Sequence, residues 1–220
     1  MTVDSSGLLY VMAGVSNYYT NISVYSSTAT GAATPIRNIG GSNTGFNQSN
    51  SEETVYFAVD HSGNIYVSNS LTFGGEINVF SSTTTGNVGP TSTLNTGATC
   101  PEGIAVDSSG NIYAVEVTTN PSTFAQSTAI VEYASGATGA ATPTKTIAGS
   151  STEMSYGEGL VIDSSDTLYM VNQTLITGSS PQAYTYSVLE FGSNASGNVA
   201  PTTAFTSSSW TNGANYLAVH

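Results

Sequence analysis

The sequence predicts an all-β protein, a β-propeller of four four-stranded blades, and three observations predict it. A nine-residue turn motif occurs four times along the chain. A strand follows each copy, marked by an apolar residue with an aromatic three positions later. The aromatic markers Tyr25, Phe80, Tyr133 and Phe191 lie 55, 53 and 58 residues apart. Tandem units of about 40 to 50 residues, each holding four short strands, are the signature of propeller blades. A β-helix has much shorter coils, and a sandwich does not normally repeat its own sequence four times.

The motif reads Val3-Asp4-Ser5-Ser6-Gly7-Leu8-Leu9-Tyr10-Val11, then Val59-Asp60-His61-Ser62-Gly63-Asn64-Ile65-Tyr66-Val67. It returns as Val106-Asp107-Ser108-Ser109-Gly110-Asn111-Ile112-Tyr113-Ala114 and as Ile162-Asp163-Ser164-Ser165-Asp166-Thr167-Leu168-Tyr169-Met170. A β-branched residue, an Asp, small polar residues with Gly or Asn, and then alternating apolar residues describe two strands joined by a tight hairpin. An Asp side chain accepts backbone N–H bonds from residues just ahead of it, so these four aspartates are expected to cap turns rather than to form an acidic active site.

The third strand of each unit is Ile22-Ser23-Val24-Tyr25, Ile77-Asn78-Val79-Phe80, Ile130-Val131-Glu132-Tyr133 or Val188-Leu189-Glu190-Phe191. A Gly- and Pro-containing turn ends it, and the fourth strands begin at Pro35, Pro90, Pro143 and Pro201. Pro is tolerated at the start of an edge strand. Arg37 and Lys145 hold the same repeat position and are expected to be solvated outer-edge charges that discourage pairing with other chains. The turn wording alternates, Ala-Ala-Thr-Pro in the first and third units against Asn-Val-Gly-Pro and Asn-Val-Ala-Pro in the second and fourth, which points to duplication of a two-blade unit.

These boundaries make residues 1–220 one propeller domain, with repeats over about 1–53, 54–100, 101–156 and 157–213. Residues 214–220 match the innermost strand that opens the other units. The expectation is that this C-terminal strand pairs with the N-terminal blade and closes the ring, displacing residues 1–4. The alternatives are self-association through the terminal strands and a segment of a longer ring.

Two basic residues stand against fourteen acidic ones, for a formal net charge of −12. Such a chain repels polyanions, which excludes nucleic acid and anionic membrane surfaces as expected partners. No apolar run reaches the roughly 18 residues of a membrane span. Cys100 is the single cysteine, so no intramolecular disulfide and no multi-cysteine metal cage forms. Thirteen Tyr and seven Phe supply core material that a disordered chain lacks. A Ser-, Thr- and Asn-rich, Lys-poor surface fits a secreted or cell-surface bacterial protein.

The run Pro101-Glu102-Gly103-Ile104-Ala105-Val106-Asp107-Ser108-Ser109-Gly110-Asn111-Ile112-Tyr113 resembles the NHL repeat, and the likeness covers nearly the whole chain. The resemblance implies a propeller related to those of streptogramin lyases and gluconolactonase-like proteins, with the innermost strand at 103–107. It also implies that residues just before that strand line one mouth of the central channel. NHL rings generally have six blades, whereas this chain holds four repeats.

Chemistry-bearing residues are few. His61 and His220 are the only histidines, and His61 replaces a turn serine. A lyase-like histidine before an inner strand is missing. A gluconolactonase-like site gathers Glu, Asn and Asp oxygens around a divalent cation, and oxygen ligands suit Ca²⁺. Glu102 and Glu158 precede the Gly that opens an inner strand, and Asn69, Glu116 and Asn172 share a place at the far end of the second strand. These five are the metal candidates; Val55 and Ala13 leave the ring of ligands incomplete, with Asn215 as its remaining member. No set of residues forms a catalytic constellation. Trp210, Tyr156 and Tyr184 are the ligand-binding candidates, since aromatics on a rigid rim stack on sugar faces.

The expected function is therefore a noncatalytic extracellular binding or structural propeller, with a protein or glycan partner or with self-assembly. The alternative is a divalent-metal-assisted lactonase or lyase at the channel mouth.

Overall fold

The structure, a computed structural model, describes residues 1–15, 19–46, 56–71, 74–97, 100–120, 122–123, 125–178, 183–206, 210 and 217. The first blade holds β1 (Thr2–Val3), β2 (Leu9–Val15), β3 (Tyr19–Tyr25) and β4 (Arg37–Gly40). The second holds β5 (Phe57–Val59), β6 (Ile65–Leu71), β7 (Gly74–Phe80) and β8 (Ser92–Asn95). The third holds β9 (Cys100–Val106), β10 (Ile112–Thr119), β11 (Gln126–Tyr133) and β12 (Lys145–Ile147). The fourth holds β13 (Tyr156–Ile162), β14 (Leu168–Ile176), β15 (Ala183–Phe191) and β16 (Thr203–Thr206). Each set is one antiparallel sheet in chain order, and the four sheets form a four-blade propeller ring.

The hairpin between the first and second strands is built by the aspartate of each repeat. Asp4 Oδ1 accepts the amides of Ser6 and Leu8, both at 2.9 Å, and its Oδ2 accepts the Tyr10 hydroxyl at 2.9 Å. Asp60, Asp107 and Asp163 repeat this arrangement with the amides two and four residues on. Their second oxygens accept the hydroxyls of Tyr66, Tyr113 and Tyr169 at 3.2, 3.4 and 3.1 Å. One carboxylate thus satisfies two turn amides and a buried or half-buried phenol. Turn capping, as expected, is what these aspartates do. The turn requires a positive φ, met by Gly7, Gly63 and Gly110 at 76°, 78° and 84° and by Asp166 at 59° in the fourth repeat.

Alternation along the strands sends each blade's side chains to its two neighbours. Tyr10, Val24 and Ile39 of the first blade pack on Ile65, Val67 and Phe80 of the second. Tyr66, Ile77 and Leu94 pack on Ile112, Ala114 and Tyr133, and Val115, Ile130 and Ile147 pack on Met170, Leu189 and Phe191. The aromatic markers Phe80, Tyr133 and Phe191 are each sealed against the preceding blade.

Backbone hydrogen bonds also stitch neighbouring blades together. The outer strand of one blade forms a parallel bridge with a turn glycine of the next, pairing Ile39 with Gly86, Leu94 with Gly139 and Ile147 with Gly197. At each bridge the glycine N–H donates to the outer strand and its C=O accepts from it, at 2.7 to 3.3 Å. The alternating turn wording has its physical reason here. Asn87 and Asn198, the asparagines of the second and fourth turns, accept the amides of Asn43 and Ser151 at 2.7 Å. They clasp the loops leaving the first and third blades, so the blades are joined in pairs.

Two expectations change. Arg37 and Lys145 do lie at the start of edge strands, but they are engaged rather than merely solvated. The Arg37 guanidinium donates to the Tyr10 hydroxyl at 3.1 Å and stands over its ring, and Lys145 pairs with Glu132 at 2.7 Å. Each cation thereby reaches the tyrosine of an aspartate turn, since Tyr113 also donates to Glu132. Residues 1–4 are not displaced either, because Thr2 pairs with Tyr10 and Val3 with Leu9. The expected closing strand at 214–220 lies outside the described residues except for Leu217.

Candidate functional site

The four innermost strands enclose an axial cavity of about 430 Å³. Its wall is formed by Met1 to Val3, Tyr56 to Val59, Ile104 to Val106, Gly159 to Ile162 and Leu217, one stretch from each blade plus the C-terminal leucine. That lining follows from the repeat itself, since the apolar residue before each turn aspartate recurs in every inner strand. Ligand pockets are usually apolar clefts of roughly 300 to 1,000 Å³ with a few oriented polar groups. The channel meets that description in size and lining.

Its polar groups sit where the inner strands begin. Tyr56 stands at the repeat position that holds Gly103 and Gly159 in the next two blades. Its hydroxyl donates to Glu158 Oε2 at 2.6 Å, from the second blade to the fourth. The Tyr156 hydroxyl donates to Glu102 Oε1 at 3.0 Å, from the fourth blade to the third. Phenol-to-carboxylate bonds of this kind are charge-assisted and brace the inner strands against one another. Glu102 and Tyr56 are both buried.

The remaining metal candidates point elsewhere. Glu116, Asn69 and Asn172 lie level with the mouth, but alternation on the second strand turns them into the spaces between blades. Glu116 accepts the Tyr133 hydroxyl at 2.7 Å, which in turn contacts Thr96 of the preceding blade. Burial pushes the Glu116 carboxyl above its ordinary value, partly offset by that bond. Asn172 holds the connector from the third blade, accepting the Ser155 amide at 2.7 Å and donating to the Glu153 carbonyl. Asn69 does the same for the first connector, donating to the Gly45 carbonyl at 2.7 Å and to Glu76. Among the described residues, no three His, Cys, Asp or Glu side chains assemble in an arrangement able to hold a metal ion. His61 is exposed on a hairpin turn at the opposite end of the inner strand from Glu102. Val55, Asn215 and His220 lie outside the described residues.

The ligand-binding candidates separate as well. Tyr156 belongs to the mouth through Glu102. Tyr184 is 37% exposed near the tip of the long β14–β15 hairpin, paired across the strands with Leu175. Trp210 packs its ring 6.3 Å from that of Phe205, on the outer strand of the fourth blade. Sequence reasoning missed Tyr56, whose partner Glu158 lies two blades further along the chain. A Tyr replacing an inner-strand Gly was the available signal.

No protein-family model matches this chain, and no curated protein matches it. The class is therefore defined by the fold alone, a four-blade β-propeller. Among the described residues, no helix is long and apolar enough to cross a membrane.

Proposed function

We propose that the chain is a noncatalytic extracellular binding or structural propeller of the NHL-like type, working through protein or glycan contacts. One observation carries the reading. The two carboxylates at the channel mouth each receive a tyrosine hydroxyl from another blade, so they tie the ring together instead of converging on a common ligand position. The apolar lining of the channel supports the same view, because such a wall suits packing or a passive apolar ligand rather than acid–base chemistry.

Thermal unfolding with Ca²⁺ or Mg²⁺ against a chelator tests it. A protein without a cation site melts at the same temperature in both, since only selective binding to the native state raises the midpoint. A cation-dependent rise that disappears in Glu102→Gln and Glu158→Gln would overturn the reading in favour of a metal-assisted lactonase or lyase.

A further inference from the structure

The axial cavity has a wall chemistry that the bracing of the ring leaves unused. The aliphatic residue before each turn aspartate, Val3, Val59, Val106 or Ile162, lines it in every blade. None of the four is buried, and Val3 is 58% exposed, so the centre of the ring is apolar and open to solvent. Half-exposed apolar side chains on a rigid concave wall mark a ligand site, since a bound apolar body removes them from water.

A charge stands at this wall. Tyr56, itself in the lining, donates its hydroxyl to Glu158 Oε2 at 2.6 Å, and Glu158 is the half-buried neighbour of Gly159, also in the lining. A partly buried carboxylate favours a cationic partner. The sequence holds two Lys and Arg side chains in all, and both are committed on outer strands, Arg37 to Tyr10 and Lys145 to Glu132. Among the described residues Glu158 forms no ion pair. A divalent metal needs several oxygen ligands, but an ammonium is held by one carboxylate.

We infer that the cavity binds a small primary amine, its alkyl chain against Phe57, Val59 and Leu160 and its ammonium on Glu158 beside the Tyr56 hydroxyl. The net charge of −12 draws a cation toward the ring and repels a carboxylate of the same length. This rests on the binding side of the function proposed above and adds a small-molecule ligand class to it.

Calorimetric titration of the full chain at neutral pH with hexylamine, 1-hexanol and hexanoate is the test. Hexylamine is expected to bind one per chain, about tenfold more tightly than 1-hexanol, while hexanoate does not bind. Added sodium chloride weakens hexylamine and leaves 1-hexanol unchanged. Glu158→Gln removes the charge and is expected to weaken hexylamine about tenfold, while 1-hexanol still binds and shows the cavity intact. Leu175→Thr, on the exposed β14–β15 hairpin and outside the lining, leaves both affinities as they are. The inference is overturned if hexylamine does not bind, binds no better than 1-hexanol, or binds the wild type indifferently to salt. It is equally overturned if hexylamine affinity survives Glu158→Gln or falls in Leu175→Thr. The salt comparison needs no variant, so it decides the matter even where Glu158→Gln fails to fold. None of these outcomes touches the noncatalytic reading, which the cation melt tests separately.

Discussion

Gly103→Ala is expected to cost about 3 kcal/mol of stability, the upper part of the usual range for overpacking. The inner strands of the third and fourth blades touch backbone to backbone at this point. A Cβ on residue 103 would overlap the Leu160 amide nitrogen and the Glu158 carbonyl oxygen and stand 2.7 Å from the Gly159 carbonyl carbon. No rotamer change relieves a clash with main chain, so β9 and β13 must move apart. The same movement disturbs the mouth, because Glu102 precedes residue 103 and Glu158 precedes Gly159. Urea unfolding measures the loss. Gly192→Ala is the control, since its nearest neighbour is the Thr202 hydroxyl at 4.0 Å, and it is expected to stay within about 0.5 kcal/mol of wild type.

Alkaline pH is expected to collapse the fold over a narrow window. Burial and a neighbouring aspartate push the Tyr66 phenol up to about 12, with the Asp60 charge and hydrogen bond adding to desolvation. Tyr10, Tyr113, Tyr133 and Tyr169 move in the same direction, burial leading in each case. In the unfolded chain these phenols ionise near pH 10. Their folded pKa values are raised, so the stability they contribute is fully present below about pH 10 and is lost progressively as pH rises above it, through about 12 for Tyr66. Five tyrosines act together, four of them on aspartate turns and the fifth, Tyr133, on Glu116. The urea midpoint is expected to be level from about pH 7 to 9 and to fall by roughly half by about pH 11.5. A midpoint that holds steady to about pH 12 would show that the phenols ionise freely in the fold. Tyr66→Phe removes one titrating group and should make the fall shallower.

The blades were legible in the sequence because their determinants are local. The aspartate, the small polar pair and the glycine of each hairpin lie within a few residues, and one carboxylate's bonds fix the turn. The aromatic three places after an apolar residue was legible for a related reason, since a period of two fixes which face Phe80, Tyr133 and Phe191 present. The alternating turn wording was visible too, although its cause was not. Asn87 and Asn198 act on loops 44 and 47 residues earlier in the chain, a contact that exists only once neighbouring blades stack.

The candidate site was less legible, for physical reasons seen at particular residues. Glu102 and Glu116 share a strand level, since Glu116 pairs opposite Pro101 at the start of β9. Glu116 keeps the plain alternation of β10, whose pairing with β11 is unbroken, whereas Glu102 and Glu158 lie where the inner strands β9 and β13 shift register against their neighbours. A bulge of this kind re-aims side chains without leaving a composition signal. Glu116 consequently meets Tyr133 between blades, while Glu102 meets Tyr156 from the next blade. Arg37 and Lys145 were placed on the edge strands correctly, but their partners come from inner strands of the same sheet, Tyr10 from β2 and Glu132 from β11.

All three internal junctions are one device, an outer strand bridged to the next blade's turn glycine, and among the described residues Phe205 and Gly31 form no such bridge. Amide hydrogen exchange measured in dilute protein tests this most directly. The N–H groups of Gly86, Gly139 and Gly197 donate across a junction and are expected to exchange slowly, while that of Gly31 exchanges nearly as fast as an unstructured amide. A Gly31 amide as protected as the other three would contradict the account, because it would mean that Gly31 is bridged in the same way within the single chain.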